Sequence, residues 1–135
     1  MIEALVFPDT RSCLFDLIDG ATHLGSNVRA VYHLPADNYG KLQGPFPLAH
    51  FYVTSGTQGF IDRVDRVTVE VYAPGTRAVE TLESIRASIV GTDIETPSGY
   101  LDRIEPESVP VDIPYQSDTL NRATATFLVT SRPIL

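Results

Sequence analysis

The sequence has 135 residues, 43% apolar and 20% charged, with a formal net charge of −7. That is the make-up of one ordinary globular domain, long enough to bury roughly two thirds of its unfolded surface. The acidic balance argues against a free-standing DNA-binding module, which needs a basic face, though not against a protein that DNA merely passes.

No apolar run approaches the roughly 20 residues of a membrane span. Met1-Ile2-Glu3 lacks a basic leader region, so no signal peptide is expected. The single Cys13 cannot form an internal disulfide and excludes a disulfide-stapled module.

Phe7-Pro8-Asp9 opens a first helix, with Asp9 as N-cap and Gly20 as its stop. Cys13, Leu14, Leu17 and Ile18 form its apolar stripe, widened by Phe15. Gly25-Ser26-Asn27 reads as a turn and Val28–Leu34 as a short strand ended by Pro35. The next dozen residues, Ala36–Pro47, hold two Gly and two Pro and read as a loop of the length that often carries function. Leu48–Thr54 alternates as a strand, Ser55–Phe60 turns the chain, and Asp62–Tyr72 returns, giving an antiparallel hairpin.

The strongest signal follows. Val67, Val69 and Val71 fall at every second position, with Arg66, Thr68, Glu70 and Tyr72 between them, as in a strand with one buried face. Ala73-Pro74-Gly75 breaks it. Thr76 stands as N-cap of a helix whose Val79, Leu82, Ile85 and Ile89 recur at helical spacing beside Ala78, and Gly91 stands where a left-handed C-cap belongs. Thr92–Gly99 reads as a polar loop and Tyr100–Ile104 as a short strand. Glu105–Asp118, with three prolines, reads as an extended connection or an edge. Asn121–Ser131 is the last strand, and a short tail follows. The expected fold is a single α+β domain over residues 1–135: a mainly antiparallel sheet with two helices packed on one face.

Catalysis finds no positive signal. His23, His33 and His50 lie in different segments with no zinc-ligand spacing and read as surface or strand histidines. Asp62 and Asp65 bracket Arg63, but three-residue spacing on a strand sends them to opposite faces, so local ion pairing takes precedence over acid–base chemistry. Gly56-Thr57-Gln58-Gly59 lacks the Lys-Ser/Thr of a phosphate loop and reads as a hairpin turn. Ser12 and Ser55 sit in no nucleophile-elbow pattern. Cys13 reads as a small buried apolar residue, since no local motif supplies a base. The expectation is a protein that is not an enzyme, with no catalytic, metal or cofactor site.

Val6-Phe7-Pro8-Asp9 opening a helix, then Val31-Tyr32-His33-Leu34-Pro35, resembles the start of the tail terminator family of long-tailed bacteriophages. So does Pro47-Leu48-Ala49-His50-Phe51-Tyr52-Val53 before a turn. Asp65–Gly75 with its following Ala/Glu/Leu-rich helix, and Asn121–Arg132 as a closing strand, extend the likeness over most of the chain. Glu105–Asp118 has no place in it. The motifs are patterns of spacing and order, and related neck and head–tail joining proteins share this small α+β fold.

The resemblance implies a virion protein, assembled in the host cytoplasm, that forms a ring, commonly of six copies. The ring caps the tail tube, ends polymerisation of the tube protein and meets the head–tail connector or stopper. DNA passes its lumen without specific binding, and no cofactor or membrane is implied. The alternatives are another neck protein (a head–tail stopper or tail-completion protein) and, more remotely, a small enzyme or ligand-binding α+β domain with a concave pocket.

The loops Asp37–Pro47, Gly56–Phe60 and Thr92–Gly99 are the expected partner contacts, with Tyr39, Phe46 and Phe60 as aromatic anchors. The alternative is that these aromatics tuck into their own domain. Tyr72, on the polar sheet face, and Arg132, ending the closing strand, are further interface candidates. Glu70, Glu105 and Glu107 are candidates for an acidic ring lining that repels phosphates, set against ordinary solubility charge.

Overall fold

The computed structural model describes residues 6–117 and 119–134. Met1-Ile2-Glu3, read above for a leader, lies outside the described residues, as do Asp118 at the end of the proline-rich segment and Leu135 in the tail. The fold is α+β, with two helices and a mostly antiparallel, curled sheet. Among the described residues no helix is long and apolar enough to cross a membrane.

Helix α1 spans Thr10–Ile18. The Asp9 carboxylate caps it by accepting from the Arg11 amide at 3.2 Å and the Ser12 hydroxyl at 2.8 Å. Two short strands, β1 (Thr22–His23) and β2 (Ser26–Asn27), form a small hairpin. Leu24 and Gly25 turn it with φ of 53° and 79°, the positive pair that a two-residue hairpin turn requires.

Among the described residues the main sheet has seven strands. Strand β3 (Arg29–Val31) runs parallel to the start of β4 (Leu48–Gln58), which pairs antiparallel with β5 (Arg63–Pro74). Strand β5 pairs along its whole length with β9 (Leu120–Ser131). The far edge of β9 is shared by β7 (Gly99–Pro106) and β8 (Val111–Ile113), and β6 (Gly91–Thr96) pairs with β7. Helix α2 (Arg77–Ile89) crosses from β5 to β6.

The valine alternation of β5 does what the period of two demands. Val67, Val69 and Val71 are fully buried in one cluster with Ala123, Ala125, Phe127 and Val129 of β9. Cys13, Leu14 and Ile18 of α1 and Ala78, Leu82, Ile85 and Ile89 of α2 complete it. Each large side chain buried there contributes roughly 1.5–3 kcal/mol.

Several details correct the sequence reading. Thr92–Gly99 is not a loop but nearly all of β6 with the turn into β7. Its only apolar residue between the ends is Ile94, and an exposed edge strand needs no alternation to form. Gly91 is not a left-handed cap. Helix α2 ends on Val90 in extended conformation, and Gly91 pairs with Ile104. The Thr76 hydroxyl makes no cap bond to the helix backbone; it donates to the Glu80 carboxylate at 3.0 Å. Strand β4 runs on to Gln58, through a bulge between Val53 and Ser55, so the turn is shorter than Ser55–Phe60. The proline-rich segment does form an edge: Pro110 and Pro114 bracket β8.

The second face of the sheet, expected to be open and polar, carries its own small core. Tyr72 is buried there with Val31, Leu42, Leu48 and Leu120, and Phe46 and Tyr115 pack against them.

Candidate functional site

Three surfaces collect the residues singled out in the sequence. The first is a polar cluster on the second sheet face. The hairpin register sets His50 directly opposite Glu70. His50 Nδ1 lies 3.3 Å from Glu70 Oε1, the Tyr72 hydroxyl donates to the same oxygen at 3.3 Å, and Arg122 lies 4.0 Å from Oε2. The His50 hydrogen bond, aided by the Arg122 charge, holds the Glu70 carboxyl below the usual glutamate range despite partial burial. Burial pushes the Tyr72 phenol up. Glu70 is thus tied into its own domain.

The same holds for the other two acidic candidates. Glu105 pairs with Arg103 at 2.6 Å and Glu107 with Arg66 at 2.8 Å. These three carboxylates therefore each face a cation of their own chain.

The second surface is an open groove of about 640 Å³ between the loop before β4 and the loop before β9. Asp37 builds its first wall: its side chain accepts from the amides of Tyr39 and Lys41, both at 2.9 Å, and from the Gln43 side chain. This turns Leu42 inward and leaves Tyr39 95% exposed. The second wall is Tyr115, held at 5.1 Å edge-on to Tyr72 and beneath the Arg122 guanidinium. Tyr39 and Phe46 line this groove, while Tyr72 lies beneath it and is a support, not a contact surface.

The third surface is the tip of the β4–β5 hairpin. Phe60 is 96% exposed and Ile61 72% exposed. Below the tip, Asp65 is buried and accepts from Thr10 Oγ1 at 2.6 Å and Arg63 Nε at 3.1 Å, so the expected local ion pair forms. Beyond β3, which reaches only Val31 opposite His50, no strand among the described residues pairs with the outer edge of β4. Arg132 directly follows β9, whose last residue, Ser131, lies opposite Arg63 at the same end of the sheet. Its guanidinium donates to Asp102 at 2.7 Å, which raises its pKa.

The histidines remain apart. His23 is a buried strand residue, with Nδ1 2.7 Å from Ser84 Oγ, and burial lowers its pKa. His33 is exposed. Among the described residues no group of three or more His, Cys, Asp or Glu is placed to hold a metal ion. Cys13 is buried, as expected, and desolvation raises its pKa.

Sequence reasoning passed over Ile61, Lys41, Leu42, Tyr115 and Arg122. The His50–Glu70 pair was not available to it, because numbering outward from a turn at Ser55–Phe60 sets His50 across from Asp65 or Arg66, whereas β4 runs on to Gln58 and bulges between Val53 and Ser55. The inward turn of Leu42 had no signal either. No known family model matches the chain, and no curated protein matches it.

Proposed function

We propose that the chain is a tail-terminator-like neck subunit of a long-tailed bacteriophage. In this reading copies of it close into a ring on the head-proximal end of the tail tube, stop tube growth and present a surface to the head connector. Both helices cover one sheet face, and the opposite face and the strand ends serve assembly.

The observation that carries this reading is the bare hairpin. Phe60 stands almost fully, and Ile61 mostly, in water beside a β4 edge that is uncharged from Tyr52 to Gln58. Protein edges of this kind are normally shortened, charged or covered. Large side chains placed in this way belong to contacts made on assembly. The resemblance supports the assignment to the tail, since its longest stretches fall on β4, β5 and β9, the middle of the sheet.

Polymerising tube protein with and without the purified chain tests the reading. Capping gives tubes of bounded length with an extra ring at one end. Tubes that grow equally long, with no ring, refute it.

A further inference from the structure

We infer that the hairpin tip of one copy seats in the groove between the Tyr39 and Tyr115 loops of the next copy. The inference rests on the ring reading above and names the contact that would build the ring.

Knob and groove lie at opposite ends of the same strands. The tip adjoins Arg63, at the start of β5. The groove adjoins its far end, since Leu120 pairs with Pro74 and Leu48 with Tyr72. A strand of 12 residues separates them, roughly 36–40 Å at about 3.3 Å per residue. A chain cannot fill its own groove with its own tip, so the contact joins two copies.

The chemistry of the two surfaces matches. The tip offers Phe60 and Ile61 followed by Asp62, which is exposed. The groove offers Tyr39, Phe46 and Tyr115 to the apolar pair and Lys41 to the carboxylate. Among the described residues neither Lys41 nor Asp62 makes an ion pair within the chain.

The groove is preformed. The Asp37 hydrogen bonds fix one wall, and Tyr72, Tyr115 and Arg122 fix the other. A knob at one end and its socket at the other is a heterologous contact, the kind that repeats around an axis and closes when the rotation allows.

The test is disulfide trapping in the full chain, with buried Cys13 retained. Phe60→Cys and Gln116→Cys are made as separate chains and mixed under mild oxidation. The expected product is a dimer linked between residues 60 and 116, and a chain carrying both changes gives a ladder ending in a closed ring.

In parallel, Phe60→Ala is expected to weaken assembly roughly thirtyfold. Lys41→Asp and Asp62→Lys each weaken it about tenfold or more, and the two together restore it. If the wild type assembles but Phe60→Ala assembles equally well and no 60–116 link forms, the inference falls while the ring reading stands. A wild type that stays monomeric across a concentration series and on tube ends sinks both.

Discussion

Replacing Tyr72 tests whether the second sheet face holds a core or an open contact surface. The residue is only 1% exposed, packed against Leu42, Leu48 and Leu120, with Tyr115 edge-on. Tyr72→Phe keeps that packing and removes only a long hydrogen bond of 3.3 Å to Glu70, a loss of about 0.5–1 kcal/mol. Tyr72→Ala deletes the ring and leaves a cavity, which costs about 3–5 kcal/mol for an aromatic in a packed site. A chain of this size unfolds with an entropy near 0.3 kcal/mol per kelvin, so each kcal/mol lowers Tm by roughly 3–4 °C. Thermal melts followed by circular dichroism should therefore place Tyr72→Phe within about 4 °C of wild type and Tyr72→Ala about 10–18 °C below it. A Tyr72→Ala melt within a degree or two of wild type would mean that the side chain stands in solvent, and the account of the second core would be wrong.

Glu70 carries an acid-dependent share of stability. Its folded pKa is lowered, so the contribution is present above the ordinary value of about 4.3 and is lost as pH falls through the lowered folded value. Tm of Glu70→Gln should accordingly fall less steeply than wild type on acidification below about pH 4.3; parallel curves would contradict this. Gly99 and Gly75 form a matched pair. At Gly99, φ is +153° and an added Cβ would stand 2.6 Å from Pro8 Cβ, whereas at Gly75, φ is +60° with open space. Gly75→Ala should cost about 1–2 kcal/mol of backbone strain, and Gly99→Ala about 1–3 kcal/mol more, read by urea unfolding; equal losses would remove the Pro8 contact from the account. Cys13, buried with a raised pKa, should resist a thiol reagent until the chain unfolds, and rapid labelling of native protein would contradict its burial.

The sequence made the middle of the molecule legible because burial there is one-sided. Val67, Val69 and Val71, then Ala123, Ala125, Phe127 and Val129, must alternate to enter the main core. Asp9 announced α1 because capping chemistry is local. Strand β6 was invisible because Thr92, Asp93 and Glu95 lie on an exposed edge, where hydrogen bonds to β7 suffice. Tyr72 was misplaced for a different reason. Its neighbours Thr68 and Glu70 are polar, and nothing near it in sequence shows that Leu42 and Leu120, 30 and 48 positions away, close over it. Phe60 was singled out as an interface anchor and stands exposed in the fold, but the groove needed Asp37, Leu42 and Tyr115 to be seen together.

The central claim is that copies of this chain satisfy one another's exposed surfaces in a closed assembly. The most direct measurement is the native mass of the particle, alone over a concentration series and on tail-tube ends. The account predicts a single integer multiple of the 14.8 kDa chain mass. A monomer mass under every condition, or an open-ended spread of lengths, would contradict it.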